Sequence, residues 1–237
     1  THHFDLVNWL IDSYPQTVFC MGDLKFYGRE NAEARGEKYS YDRYTGQPDA
    51  AKDPFKLDLS SRDSLRDLYL NAEKDSGYIR DRNVFGDNIS IEDTMAITAR
   101  YRNGVIMKYS LLAYSPWEGL RLSVTGNKGR IELYDKHGSH IIAGQGDKEL
   151  AAQQARGHEL TLKLFPMFGI PQNIEIPTAD GGHGGSDPAM LHQIFSSNPS
   201  PDPFKRDASH IDGAASILMG ISANQSIKTG LPVNCDD

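Results

Sequence analysis

The chain has 237 residues, 38% of them hydrophobic and 24% charged, the balance of a globular protein with a sizeable core. Its 25 Lys and Arg against 32 Asp and Glu give a net charge of −7, which argues against a nucleic-acid binder that depends on clustered positive charge. No apolar run approaches the roughly 20 residues of a membrane span, and two cysteines, Cys20 and Cys235, support neither a disulfide framework nor a zinc knuckle.

The sequence begins without a methionine, shows no signal peptide and enters a helix almost at once, so it reads as cut from a longer chain. Phe4, Val7, Leu10 and Ile11 recur at three- and four-residue spacing, which predicts a helix with these residues as its buried face, ended by Pro15. Residues 17–21 are β-rich. Residues 29–84 are near-neutral and poor in aliphatics. Only 64–72 has helical spacing there, so a mostly solvated excursion is predicted, longer than a plain connection requires.

From Ile91 onward the pattern becomes β. Met95, Ile97, Ala99 and Tyr101 alternate with polar or small residues, Asn103-Gly104 supplies a hairpin turn, and Val105, Met107, Tyr109 and Leu111 alternate on the return strand. Leu120, Leu122 and Val124 predict a further strand, joined through Gly126-Asn127-Lys128-Gly129 to residues 131–134. Later strands are predicted at 140–143, 160–164 and 173–176. Hairpin-linked strands in succession imply an antiparallel meander, since parallel neighbours need crossover connections. Helices are predicted at 188–195 and 207–229, the latter capped by Asp207, stopped at Gly230 and buried through Ile211, Ala214, Ala215, Leu218 and Ser222. The expected fold is α+β, a mostly antiparallel open sheet with helices packed on one face, residues 1–237 forming one domain.

Three segments carry candidate chemistry, each with a plainer alternative. His2, Asp5 and Trp9 share a helix face, and a carboxylate beside an imidazole fixes its tautomer and raises its basicity, as a general base requires; Asp5 is also explained as a complement to the helix dipole. His183 sits among Gly181, Gly182, Gly184 and Gly185, a setting where a ligand can approach the backbone closely, or a flexible loop before a helix with Pro188 in its first turn. Tyr114, Trp117 and Glu118 combine aromatics with an acid in the manner of a sugar pocket; the alternative is a turn whose aromatics cover a sheet edge. His137 and His140 lack a third ligand at zinc spacing, so no metal site is expected.

Taken together, Thr1-His2-His3-Phe4-Asp5-Leu6-Val7-Asn8-Trp9-Leu10, the strand-turn 124–132 and the ending 211–233 resemble the glucose–fructose oxidoreductase / inositol dehydrogenase / rhizopine catabolism (Gfo/Idh/MocA) family, from the first residue to the last. The resemblance implies the C-terminal domain of an oxidoreductase for a sugar or polyol. An N-terminal Rossmann domain would bind NAD or NADP, and the open sheet would build a homo-oligomer. It assigns His2 the role of proton acceptor when a sugar hydroxyl is oxidised, with Asp5 orienting it; His183, Tyr114, Trp117 and Glu118 are expected to meet the substrate on the strength of their local chemistry. The family's E-K-P lysine and its nucleotide fingerprint would lie upstream of Thr1, so this stretch alone is expected to hold no cofactor and to be inactive. Two alternatives accompany this reading, a relative that uses NAD transiently to cleave glycosidic bonds and a stand-alone carbohydrate-binding module. No nucleic-acid or membrane partner is expected, and the compartment, cytoplasmic or periplasmic, is left open.

Overall fold

The computed structural model describes residues 1–138, 159–177 and 185–236. Its longer helices are α1 (His2–Ile11), α2 (Arg29–Ala34), α3 (Ser186–Phe195) and α4 (His210–Thr229). Its strands are β1 (Pro15–Asp23), β2 (Thr94–Tyr101), β3 (Ile106–Leu112), β4 (Glu118–Gly126), β5 (Gly129–Gly138), β6 (Glu159–Pro166), β7 (Gln172–Ile174) and β8 (Val233–Asn234). They form two compact units, one from residues 1–38, 87–114 and the stretch from 200 onward, the other from 39–86 and 115–199. The fold is α+β with open antiparallel sheets, as expected, but the strands divide between two four-stranded sheets, β3-β2-β1-β8 and β4-β5-β6-β7. The predicted meander therefore breaks between β3 and β4. After β3 the Ala113 N–H donates to the Asp93 carbonyl (2.8 Å). In the other unit Ser115 Oγ accepts the Trp117 N–H (3.1 Å) across Pro116, which has no N–H to continue a ladder.

In the first unit both long helices cover one face of the sheet. Val18 and Cys20 on β1 stand opposite Ala99 and Ile97 on β2, and this face packs with Tyr101, Met107, Phe4 of α1 and Met219 and Ala223 of α4 into one buried cluster. Helix α1 keeps Phe4 inside with Val7 and Ile11 against the core, but Leu10 is 42% exposed and Asn8 takes the buried position. It ends at Asp12 in the left-handed conformation (φ 47°), ahead of Pro15.

Helix α4 turns a different face inward from the one its aliphatics suggest. Ser216, Met219, Ser222, Ala223 and Ser226 are buried, while Ile211 is 55% exposed. The reason lies at the sheet edge. Strand β8 pairs with β1 only at Thr17 and Val18, so the next inward N–H, that of Cys20, lacks a strand partner. Ser226 Oγ accepts it at 2.9 Å and donates onward to the Leu231 carbonyl at 2.8 Å. Hydrogen bonding to a short edge thus sets the helix rotation, since a buried unpaired N–H is costly. The cap also differs. Ser209, not Asp207, is the N-cap, and it forms a reciprocal capping box with Asp212. Gly230 (φ 70°) ends the helix as predicted.

In the second unit residues 39–86 are more ordered than a solvated excursion. Tyr41, Tyr44 and Ala50 form a buried cluster flanked by Tyr39 and Leu57, and Leu59 and Phe85 are also buried. Tyr39 stacks on Phe85 (centroids 4.9 Å apart), and Tyr44 hydrogen-bonds Asn83 (3.2 Å). Buried Asp81 accepts the Thr45 N–H (2.7 Å) and pairs with Arg43 (2.7 Å), which also grips Glu73 (2.7 Å). The segment holds together through aromatic stacking and polar closure, with few aliphatics.

The sheet of this unit is different. Leu122, Leu133, Leu162 and Ile174 stand in one cross-strand row, and Val124, Ile131 and Leu164 in the next, on the same face. None of these residues is buried; Ile131 is 46% exposed. The opposite face carries Arg121, Ser123, Glu132 and Lys163. The predicted strand at 140–143 lies outside the described residues.

Candidate functional site

Helix α1 begins at His2, which is exposed, and Asp5 stands one turn further on. No hydrogen bond between the two is recorded among the described residues, although their spacing puts them on neighbouring positions of one face. His3 turns the other way, its Nδ1 lying 3.1 Å from the Tyr109 hydroxyl.

Beyond Asp5 the helix borders a cleft of about 1000 Å³ in the first unit, lined by Asp5, Asn8, Trp9 and Asp12 and closed by Tyr14, Arg102, residues 203–208 and Asp212. Trp9 is 42% exposed, and its indole N–H donates to the Phe204 carbonyl (2.7 Å), which fixes the ring. Asn8 is 4% exposed, and neither its amide oxygen nor its amide nitrogen has a hydrogen-bond partner among the described residues. The Tyr14 hydroxyl donates to Asp212 (2.8 Å), and this bond pushes the Tyr14 pKa up. Ser209 and Tyr14, bonded to the Asp212 carboxylate, hold its pKa down at about 2, so it is an anion throughout the working range.

Tyr114, the other predicted residue of the first unit, does not line this cleft. It stacks on Phe26 (centroids 4.8 Å apart, interplanar angle 14°), which also packs edge-on against Tyr27 and holds the Arg35 guanidinium 4.5 Å from its ring centre. Buried Asp93 anchors this segment by accepting the N–H groups of Lys25, Phe26 and Tyr27. Trp117 and Glu118 belong to the second unit. Trp117 lies 5.0 Å from the Arg121 guanidinium and donates to the Tyr134 hydroxyl (3.3 Å), while Glu118 is exposed at the start of β4. The aromatics thus have structural partners of their own. His183 lies outside the described residues; the helix after it, α3, starts at Ser186 behind Gly185 (φ 84°).

Among the described residues no group of three or more His, Cys, Asp or Glu could hold a metal ion, and no helix is long and apolar enough to cross a membrane. Sequence reasoning missed Asn8, Tyr14, Arg102, Phe204 and Asp212. Asn8 alone left a signal, as an uncompensated polar residue among the apolar positions of α1. The others come together only in three dimensions.

A protein-family model described as the oxidoreductase family, C-terminal alpha/beta domain (Gfo/Idh/MocA), matches residues 1–235. The chain belongs to this family. Within it, YteT of Bacillus subtilis, named as an oxidoreductase, is 30% identical over 255 aligned positions, covering 98% of this chain and 54% of that protein. Aldose-aldose oxidoreductase from Caulobacter crescentus, solved with glycerol, matches with a TM-score of 0.51 at 12% identity over 98% of this chain and 45% of its own. A super-repressor mutant of Gal80p from Saccharomyces cerevisiae matches with a TM-score of 0.52 at 12% identity, over 98% and 47%. This Gfo/Idh/MocA domain thus spans about half the length of the proteins it matches. At 12% identity the solved structures bear on the fold alone, and that fold serves both an enzyme and a repressor, so function has to be argued from the site.

Proposed function

We propose that this Gfo/Idh/MocA domain is the substrate-binding and oligomer-forming half of a nicotinamide-dependent oxidoreductase acting on a sugar or polyol. The observation that carries the reading is the arrangement of α1: an exposed His2 in the first turn, Asp5 one turn on, and a polar cleft with a fixed, half-exposed indole alongside. In this reading His2 accepts the proton of the substrate hydroxyl, and Asp5 stabilises the imidazolium that forms. Trp9 offers an apolar face to a sugar ring, and the carboxylates of the cleft accept hydrogen bonds from its hydroxyl groups.

The described residues do not form a dinucleotide cradle. Every strand pairing among them is antiparallel, and none belongs to a β-α-β unit opened by a glycine-rich turn. The nucleotide is therefore assigned to a Rossmann domain of the parent protein, and no step at the nucleotide is derived from these residues. The apolar row Leu122-Leu133-Leu162-Ile174 supports the oligomer part of the reading, because among the described residues it is only half-buried and a second copy would complete its burial.

The test is coenzyme reduction by the full-length protein, with NAD⁺ or NADP⁺, against a panel of sugars and polyols. Sugar-dependent absorbance of the reduced coenzyme is the expected result. Glycoside cleavage without net reduction would favour the hydrolytic relatives instead, and sugar affinity with neither reaction would favour a binding module.

A further inference from the structure

We propose that the site does not stop at the reacting sugar but continues along α1, so that the substrate is a di- or oligosaccharide whose second sugar unit is held by Asn8 against Trp9. This rests on the reading of His2 and Asp5 as the reacting end. Three observations carry it. The first is length: from Asp5 to Asp12 the helix runs about 10 Å, two turns lined by one cleft, whose volume of about 1000 Å³ is at the top of the range for small-molecule sites.

The second is the Asn8 amide. It lines the cleft, is buried, and has both its donor and its acceptor unpartnered. A buried amide in this state carries a desolvation penalty that a ligand can remove. A carboxylate can only accept and a guanidinium can only donate, whereas a sugar hydroxyl does both, so a pair of hydroxyls matches the amide at each end. The third is charge. The carboxylates of Asp5, Asp12, Asp207 and Asp212 slightly outweigh Arg102, Lys205 and Arg206 around the cleft, a setting for an uncharged polyhydroxyl chain and a poor one for a phosphate or polyanion. The Trp9 ring, fixed by its bond to the Phe204 carbonyl, provides the flat apolar platform that the carbon-bound hydrogens of a sugar face require.

The test is a glycan array of mono-, di- and oligosaccharides probed with the labelled full-length protein, with Asn8→Leu as the variant. Leucine keeps the number and branching of the side-chain heavy atoms, with somewhat bulkier methyl groups, and removes the unpartnered amide. The expected result is retention on certain di- or oligosaccharides at least tenfold above their component monosaccharides. Asn8→Leu should lower that retention at least tenfold while the melting temperature stays equal or rises. Equal retention on the component monosaccharides, or no retention on any glycan, would overturn the inference. So would an Asn8→Leu variant that melts earlier and binds unchanged, since the amide would then be satisfied within the fold. Reduction of coenzyme by a monosaccharide with no preference on the array would remove the second subsite and leave the proposed reaction standing. Array preference for the longer glycans without coenzyme reduction would keep the cleft and remove the reaction.

Discussion

In the first unit the sheet face bearing Val18, Ile97, Ala99 and Tyr101 is closed by α1 and α4, whereas in the second unit the face bearing Leu122, Leu133, Leu162 and Ile174 has no buried residue. Both faces carry apolar residues at alternate strand positions, although Asp135 stands opposite Leu120 and Leu160 on the second and β1 is apolar on both sides at Val18-Phe19-Cys20-Met21. The difference is that the first has helices whose small residues allow close approach, while the buried side chains of the second unit gather in the tyrosine cluster of residues 39–86. Alternation therefore specifies a face to be buried without specifying what buries it. One unit completes its core from its own chain, and the other presents a surface of the kind a second copy would cover.

The largest expected effect bears on that contrast directly. Leu122→Asp places a charge in the middle of this half-buried face, and in sedimentation the proposed oligomer should dissociate while the fold of the first unit, followed by amide exchange, is retained. Next come truncations within each sheet's packing. Met219→Ala, at a fully buried position, should lower stability to urea by about 2–5 kcal/mol. Leu162→Ala, on the uncovered face, should cost a dissociated monomer about 1 kcal/mol or less. Similar losses at both positions in the monomer would erase the distinction between the units.

Ser226→Ala is expected to cost about 1–3 kcal/mol in the same assay, because it leaves the Cys20 N–H buried and unpaired beyond the short β8. The smallest effect is acid sensitivity in the first unit. Asp212 is held at about 2, below its unfolded value of about 3.9, so its contribution is complete above pH ~4 and fades as the pH falls towards 2. Asp212→Asn should flatten that limb of the stability–pH curve by about 1 kcal/mol once solvent screening at this partly exposed site is allowed for. A limb of unchanged slope would mean that other carboxylates, Asp93 among them, dominate the acid transition.

How far the fold was legible in the sequence does not follow that divide. The hairpins at Asn103-Gly104 and at 126–129 were readable because turn chemistry and period-two alternation agree there. The inward face of α4 was not, because serines binding a sheet edge outweighed the aliphatics Ile211 and Leu218. The order in residues 39–86 was hidden because tyrosine stacking and a buried Asp81–Arg43 pair leave no hydrophobic period. At the site, His2, Asp5 and Trp9 were visible through local helical spacing. The cleft wall from Arg102 and residues 203–208 was not, since it joins positions about a hundred residues apart.

The claim that matters most is that α1 carries the proton-handling group of a sugar oxidoreductase. Steady-state coenzyme reduction by the full-length protein, wild type against His2→Ala, tests it most directly. The predicted result is a fall in kcat of about 10²–10⁴-fold with sugar affinity nearly preserved, and turnover at the wild-type rate in His2→Ala would contradict it.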